Sequence, residues 1–462
     1  MKNITLTTIL LIIILCMLGP KLYAYDLAVE NADGVTIYYD IINYDELEVV
    51  QPYYTNYSGN VDIPEEVNRW GLIYKVSSIG HHAFDRCSGL TSVTIPNSVT
   101  NIGIDAFCDC TGLTSVTIPD SVTNIGSWAF KGCTGLTSVN IPNSVTMIGD
   151  GAFFKCSSLV SVTIPSSVKY IFSEAFSKCS SLTTLTIPNS VTYIYTHAFS
   201  GCSGLTSVII PKSVIFIGSC AFADCKSLKS VYISDIFDWC NIYYEDELSN
   251  PLYYASHLYL NNEELRDLVI PNGVTSIRYY AFANCSSLTS VVIPNSVTSI
   301  HDGAFKNCSS LASINIPNSV TSISRNVFEN CSSLTSVIIG EKITEIGSNA
   351  FKGTRALKSI YILCEMPPSI EWNTFDNSNY TWTCLYVPTG SKDVYMNLPT
   401  IAYWRYFKSI VEFNPATINK ISNEKIRKNL RYSLNGQLIN KPQKGVNIIK
   451  MSDGSTKKVI VK

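Results

Sequence analysis

The chain has 462 residues and a formal net charge of −2, and 46% of its residues are hydrophobic, which excludes disorder over most of its length. Charge is concentrated at the ends: residues 25–66 hold ten acidic residues and no Lys or Arg, whereas residues 416–462 carry eleven Lys or Arg against two acidic residues. No basic face runs through the centre, so nucleic acid is not an expected partner.

Residues 1–24 have the pattern of a secretory signal peptide. Lys2 precedes an apolar stretch from about Ile9 to Leu18, and Ala24 is followed by an acidic sequence. The stretch is shorter than the roughly 20 residues that a membrane-spanning helix needs. We therefore expect cleavage after Ala24 and export of the mature chain.

Residues 25–83 are expected to form an N-terminal cap. They contain a strand-like segment, residues 35–39, and an early Ile-Pro pair at Ile63. Similar Ile-Pro pairs recur in the central segment of the chain, residues 84–375. The cap is therefore predicted to begin the architecture of the central segment in an irregular form.

The central segment, residues 84–375, is built from repeats of 23 residues. Within one repeat Leu90, Val93 and Ile95 have the L-x-x-L-x-L spacing of a leucine-rich repeat strand, and Pro96 ends the strand because it has no N–H. Twelve coils are expected from the recurrence of Phe. This Phe occurs at positions 84, 107, 130, 153, 176, 199, 222, 282, 305, 328 and 351, with a degenerate copy at 375.

The return path of each repeat is also apolar on one side. Ile102, Ala106 and Cys110 are spaced by four, which predicts one or two turns of helix. Several repeats have a glycine directly after the second inward Ile, as at Gly103, and we call this position the glycine slot. Another repeat has Phe172 there, so the backbone at this position must have φ and ψ angles that residues other than glycine adopt.

A single coil of this kind buries almost no apolar surface, so the coils must stack on one another. The predicted fold is an α/β repeat: a leucine-rich repeat solenoid with short parallel strands in one curved sheet, β-rich caps and a small C-terminal β tail. An insert within residues 236–262 widens one coil, and residues 376–415 form the second cap. Residues 416–462 contain two predicted hairpins, with turns at Asn435-Gly436 and Asp453-Gly454.

Ten cysteines stand three residues after the repeated Phe, as in Cys110 and Cys308, and are predicted to stack in the core as free thiols. No C-x-x-C or H-E-x-x-H spacing occurs, so we predict no metal, no cofactor and no enzymatic activity.

Aromatic residues at repeat positions that are otherwise polar indicate a candidate binding surface on the outer edge of the solenoid. They replace polar residues in adjacent coils, and they either bind a partner or stiffen the stack by packing on one another. These residues are Tyr170, Phe172, Tyr193, Tyr195 and Phe216.

A second candidate surface combines the insert with the outward positions of the strands. The insert aromatics either bind a ligand or fill a wider coil. Its residues are Tyr232, Trp239, Tyr243, Tyr244 and Tyr361.

The repeat sequence from Ile95 to Val116, I-P-N-S-V-T-x-I-G-x-x-A-F-x-x-C-x-x-L-T-S-V, resembles the BspA-type leucine-rich repeat family. This resemblance implies a secreted or surface solenoid, and some family members are adhesins. The tail, at residues 432–437 and 445–450, resembles a type IX secretion sorting domain, with a merely structural β appendage as the alternative. We expect an adhesin-like protein that binds an extracellular protein, or alternatively a glycan, and that the tail holds at the outer surface of the cell.

Overall fold

The computed structural model describes residues 25–52, 56–397 and 403–417, together with the tail segments 431–432, 438–439, 445–450 and 456–461. The expected signal peptide lies outside the described residues. The chain is a β-solenoid with coils of about 23 residues and parallel strands, as predicted, and it has about 14 turns where the repeated Phe gave twelve coils. It divides into two compact units. Unit 1 contains the described residues up to Ser234 together with Ile242–Ala255, and unit 2 contains Asp235–Asn241 and the described residues from Ser256 onward.

Each coil of unit 1 contributes one strand to a parallel sheet that we call sheet A. Coils pair in strict register, for example Val93 with Val116, because identical inward residues stack on one another. Thr94 and Thr117 point outward and are exposed, so the pattern has the two-residue period of a half-buried strand. The strands of sheet A are Gly59–Asp62, Leu90–Thr94, Ser115–Thr117, Ser138–Asn140, Ser161–Thr163, Thr184–Thr186, Ser207–Ile209 and Ser230–Ile233.

A second, shorter strand in each coil forms what we call the B ladder. Its inward residues, such as Ile125 and Ile194, are fully buried, and the residue before each of them faces outward. In unit 1 the B ladder has two hydrogen-bonded stretches. The first consists of Leu72–Ile79, Asn101–Ile102, Asn124–Ile125 and Met147–Ile148, and the second of Tyr170–Ile171, Tyr193–Ile194, Phe216–Ile217 and Tyr243–Tyr244.

The helical turns predicted on the return path are wrong. Ile102, Ala106 and Cys110 are fully buried as expected, but the segment consists of turns. Asp105 and Asp109 have φ angles of 53° and 54°, which no right-handed helix contains. The N–H groups alternate between bonds within the coil and bonds to the next coil, so stacking replaces the hydrogen bonds that a helix would have made.

The core is a column of identical side chains. Phe107 and Phe130 stack with ring centroids 5.0 Å apart and planes within 4°, and the same arrangement recurs at Phe305 and Phe328 in unit 2, at 5.7 Å and 3°. The glycine slot adopts ordinary backbone angles, as predicted, because Gly103 and its equivalents are absent from the positive-φ residues.

The first cap adds an antiparallel sheet to unit 1. Leu27–Glu30, Thr36–Ile41 and Glu46–Val50 pair in sequence, and Glu46–Val50 then runs parallel to Leu72–Ile79 at the start of the B ladder. Glu66–Arg69 pairs antiparallel with Leu72–Ile79. The cap therefore covers the first coil with strands, including one at the strand-like segment that the sequence predicted.

Unit 2 repeats the same two ladders. Sheet A of unit 2 consists of Asp267–Val269, Ser290–Val292, Ser313–Ile316, Ser336–Ile339, Ser359–Ile362, Cys384–Pro388 and Ser409–Phe413. The B ladder of unit 2 consists of Ser276–Ile277, Ser299–Ile300, Ser322–Ile323, Glu345–Ile346 and Ser369–Ile370.

The end of unit 2 is closed by large aromatic residues. Trp404 is buried, its indole Nε1 donates to the carbonyl of Pro368 at 2.7 Å, and its ring lies 5.7 Å from Phe375. Phe407 is also buried against Phe375. The helices here are Asn377–Trp382, Lys392–Met396 and the 3-10 helix Tyr403–Tyr406.

The insert contributes to each unit separately. In unit 1 it supplies the 3-10 helix Glu247–Ser249 and the short helix Leu252–Ala255. In unit 2 it supplies the helix Ile236–Asn241 and a hairpin of His257–Leu260 with Glu263–Glu264. No helix in the described part of the chain is both long and apolar enough to cross a membrane.

The tail pairs as the two predicted hairpins require. Arg431–Tyr432 pairs antiparallel with Leu438–Ile439, and Gly445–Lys450 pairs antiparallel with Thr456–Val461. Both predicted turns lie outside the described residues. The first hairpin also pairs with the second, so the strands form one small sheet.

Candidate binding surfaces

The structure brings the five edge aromatics of unit 1 together. Tyr170 pairs in register with Tyr193, and Tyr193 pairs with Phe216, so all three lie in the outward column of the B ladder. Successive ring centroids are 5.8 Å apart. The inward residues Ile171 and Ile194 are buried, and the alternation of a strand therefore directs the aromatic rings away from the core.

A second, shorter column of rings lies beside the first. Phe172 and Tyr195 stack at 5.5 Å with planes 16° apart. Tyr193 and Tyr195 are 6.1 Å apart, and Tyr195 and Phe216 are 6.2 Å apart. The two columns therefore form one continuous surface of contacting rings.

Tyr243 extends this surface by one coil, which the sequence did not reveal. It pairs with Phe216 in the B ladder, and their rings stack at 5.8 Å with planes 8° apart. The sequence pattern assigns Tyr243 to the insert, because the insert interrupts the 23-residue period before it. We call the resulting set the aromatic edge. It consists of Tyr170, Phe172, Tyr193, Tyr195, Phe216 and Tyr243.

Solvent reaches the aromatic edge. Tyr170 is 40% exposed and Tyr243 is 44% exposed, and the other four members are half-buried. Met147, in the same slot one coil earlier, and Ile215, next to Phe216, are also exposed. Large apolar residues are therefore clustered at this edge rather than scattered singly over the surface.

Two predicted insert residues are not on the surface. Trp239 is 1% exposed, and its indole Nε1 donates to the carbonyl of Ala281 at 2.8 Å. Tyr244 is also 1% exposed, because it takes the inward position of the B ladder beside Ile217. These two aromatics fill the wider coil, so their prediction as binding residues is wrong.

The remaining two predicted residues lie on sheet A. Tyr232 is half-buried and pairs with the exposed Ile209 in unit 1. In unit 2, Tyr361 is half-buried and stacks on Tyr386 with centroids 4.4 Å apart, while Phe413 meets it edge-on at 5.6 Å. Tyr361 therefore already has aromatic neighbours that cover part of its ring.

The cysteine ladder has a structural arrangement. Most of its thiols donate to the carbonyl of the repeated Phe in the preceding coil, as Cys179 does to Phe153 and Cys308 does to Phe282, both at 3.2 Å. Burial raises the pKa of Cys179 and of Cys285 to about 12, so these thiols stay protonated at neutral pH. A protonated, buried thiol is a poor nucleophile and a poor metal ligand. Within the described residues, no group of three or more His, Cys, Asp or Glu is placed to hold a metal.

Comparison with known proteins identifies the repeat. The model of the BspA type leucine rich repeat region, with six copies, matches residues 77–204, 169–244 and 255–381. No curated protein matches the chain.

Several solved structures are similar to it. A leucine-rich repeat protein from Bacteroides ovatus is 27% identical, with a TM-score of 0.51, over 79% of this chain and 100% of that one. A leucine rich cell surface protein from Faecalibacterium prausnitzii is 29% identical, with a TM-score of 0.45, over 85% of this chain and 97% of that one. A leucine rich repeat protein from T. pallidum is 27% identical, with a TM-score of 0.36, over 46% of this chain and 90% of that one.

Proposed function

Because this chain belongs to the BspA-type leucine-rich repeat family, we propose that it is an adhesin-like module that binds an extracellular protein through the aromatic edge. A leucine-rich repeat solenoid is typically a binding scaffold rather than an enzyme. Repeat solenoids present extended surfaces to protein ligands. The aromatic edge is the surface that serves this purpose here.

The observation that carries the proposal is a comparison within the molecule. The slot that holds Tyr193 in unit 1 holds Ser276 and Ser299 in unit 2, and the two serines pair in the same parallel register. The B ladder therefore forms without aromatic side chains in this slot. This weakens the alternative that the aromatic rings are present only to stiffen the stack.

The chemistry of the aromatic edge suits a protein partner. Tyrosine offers a large apolar ring together with a hydroxyl group, loses little conformational entropy on binding and is enriched at interaction hot spots. Glycan binding through the insert is less well supported, since Trp239 and Tyr244 are buried. The chemistry of the aromatic edge therefore favours a protein ligand whose apolar side chains pack against the exposed rings.

The test is a double variant, Tyr193→Ser with Tyr195→Ser, in the full chain. Binding to immobilised extracellular matrix proteins and to host cells would be measured by surface plasmon resonance and flow cytometry. We expect at least tenfold weaker binding, because two central rings are removed. The matched control is Trp382→Ser, which removes an exposed aromatic residue of unit 2 and should leave binding unchanged. Equal binding by the double variant and the parent would exclude the aromatic edge.

We further propose that residues 1–24 direct export and that residues 416–462 retain the protein at the cell surface. The support is the signal-peptide pattern and the paired hairpins of the tail. A chain ending at Pro415 should appear folded in the medium, whereas the full chain should stay with the cells. Retention of the truncated chain at the surface would contradict the role of the tail.

A further inference from the structure

A second set of residues in unit 1, distinct from the aromatic edge, combines lysines with aromatic rings. Trp128 lies two residues before Phe130, and its φ of 60° places its backbone in the left-handed region. One coil later the same slot holds Gly151, with a φ of 58°. A Cβ at position 151 would lie only 2.1 Å from the indole, so the glycine allows the ring of Trp128 to lie directly against the backbone of the next coil.

Phe154 contacts this indole, and three lysines lie over the two rings. The rings of Trp128 and Phe154 meet edge to face at 5.6 Å, and the Nζ of Lys131 lies 5.3 Å from the indole centroid. The Nζ atoms of Lys155 and Lys178 each lie 5.3 Å from the centroid of Phe154. Three ammonium groups from three successive coils therefore converge on two contacting rings.

These ammonium groups have no carboxylate partner among the described residues. In unit 2, by contrast, a lysine in an equivalent slot forms an ion pair with a glutamate of the next coil. The slot of Lys131 corresponds to Lys306 in unit 2, whose Nζ lies 3.8 Å from a carboxylate oxygen of Glu329 one coil later. In unit 1 the residue one coil later is Phe154 instead. The positive charge of this cluster is therefore not neutralised by ion pairs within the described chain.

We propose that this cluster, formed by Trp128, Lys131, Phe154, Lys155 and Lys178, binds an anionic polysaccharide. The ammonium groups bind the carboxylate or sulfate groups of the sugar chain, and the aromatic rings contact the apolar faces of its sugar rings. Lys155 and Lys178 are exposed, while Trp128 and Phe154 are half-buried, so charge and ring surface are both accessible.

The spacing of the coils disfavours an extended acidic peptide as the ligand. Lys155 and Lys178 occupy the same slot in successive coils, and the Phe rings of those two coils are 5.4 Å apart. An extended peptide presents side chains on one face about 6.6 Å apart, since each residue rises about 3.3 Å. The spacing of the coils is shorter than this, so an extended acidic peptide would not place one side chain on each of these two lysines.

The test measures binding of heparin, polygalacturonate, uncharged dextran and poly-L-glutamate to the full chain by calorimetry at physiological salt. Two variants probe the cluster: Lys155→Gln with Lys178→Gln, and Trp128→His. Histidine is tolerated in the Trp128 slot, because His82 and His197 occupy it in other coils with φ angles of 57° and 56°. The matched control is Lys306→Gln with Lys352→Gln in unit 2.

We expect heparin or polygalacturonate to bind saturably, the lysine variant to bind at least tenfold more weakly, and Trp128→His to bind several-fold more weakly. The control should bind like the parent, and all variants should keep the parental thermal midpoint. The basic tail, residues 416–462, is the competing cationic segment, so unchanged affinity in the cluster variants would assign binding to the tail and overturn the proposal. Poly-L-glutamate binding as tightly as the sugars would overturn the choice of a polysaccharide.

Discussion

The B ladders of the two units differ in their outward residues but not in their backbone. Unit 1 places Tyr170, Tyr193 and Phe216 in the slot where unit 2 places Ser276 and Ser299, and both sets pair in parallel register. The inward residues of these strands are buried isoleucines in both units. The inward residue and the backbone hydrogen bonds therefore suffice to stack the coils, and the outward slot is available for binding.

The outward residues of sheet A also change along the chain. In unit 1 its outward residues include Thr117 and Thr163, which are exposed and polar. In unit 2 the corresponding column contains Val292, Ile338 and Tyr361, all half-buried. Unit 1 also carries apolar outward residues at the end of its sheet A, the exposed Ile209 and the half-buried Tyr232. The outward column of sheet A therefore changes from polar to more apolar along the chain, over the same kind of core. Substitutions can test whether core residues contribute equally to the stability of the two units. They can also test whether the outward residues change without loss of stability.

The largest expected effect comes from removing a core ring in either unit. Phe176→Ala and Phe305→Ala each delete a fully buried ring that stacks on two neighbours. Each should lower the free energy of unfolding by about 3–5 kcal/mol, measured by urea denaturation. Similar losses would support an equivalent core, and a loss below about 1 kcal/mol in one unit would show that the two cores differ.

The next effect comes from the glycines that lie under an aromatic ring. A Cβ at Gly151 would lie 2.1 Å from Trp128, and a Cβ at Gly303 would lie 2.6 Å from Tyr280. Gly151→Ala and Gly303→Ala should each cost about 1–3 kcal/mol in thermal or urea unfolding. The control is Gly201→Ala, where the nearest atom is the flexible Lys178 side chain at 3.1 Å. Equal costs at all three sites would mean that backbone angle, rather than the ring, sets the penalty.

The cysteine ladder predicts a dependence of stability on alkaline pH in both units. Burial raises the pKa of Cys179 and of Cys285 from 9.0 to about 12. Between these values the unfolded thiol ionises while the folded thiol keeps its proton. The stability that is fully present below pH 9 is therefore lost as the pH rises towards 12, by up to about 1.4 kcal/mol per pH unit for each thiol.

Urea midpoints at pH 7, 9 and 10 would measure this loss. Cys179→Ala and Cys285→Ala should each flatten the slope between pH 9 and 10, although both lower stability at pH 7. A thiol count on denatured, unreduced protein provides an independent check. Few reactive thiols in that assay would contradict the free-thiol ladder.

The smallest effect is expected from converting a serine of unit 2 into the residue of unit 1. Ser299→Tyr adds a ring in the outward slot of the B ladder, where no core contact is lost. The free energy of unfolding should change by no more than about 0.5 kcal/mol. A destabilisation of about 2 kcal/mol or more would indicate that the slot is not interchangeable, and would weaken the inference drawn from the comparison of the units.

Much of the fold was predictable because every coil buries the same residues. The 23-residue period alone placed Phe107, Cys110 and Ile102 in the core, and all three are fully buried. The return path was predicted wrongly as helical because a spacing of four also arises from consecutive turns. The left-handed residues Asp105 and Asp109 give no strong signal in the sequence, since aspartate is only one of several residue types in those slots.

The candidate site was predictable only in part. Tyr170, Phe172, Tyr193, Tyr195 and Phe216 break a regular repeat in neighbouring coils, so their positions along the chain translate directly into positions along the stack. Within the insert the period is lost, and the sequence could not separate exposed from buried aromatic residues. Which side of the wider coil each ring takes depends on the space left between its neighbours.

The sequence by itself determined the period, the short parallel strands and the stacked Phe and Cys residues, because each coil repeats the same inward side chains. Tertiary structure alone decided that Tyr243 continues the aromatic edge, that Trp239 and Tyr244 are buried, and that Lys178 meets Phe154 one coil away. The physical reason is that these contacts join different coils or depend on how an irregular insert packs, and neither can be read from the 23-residue pattern.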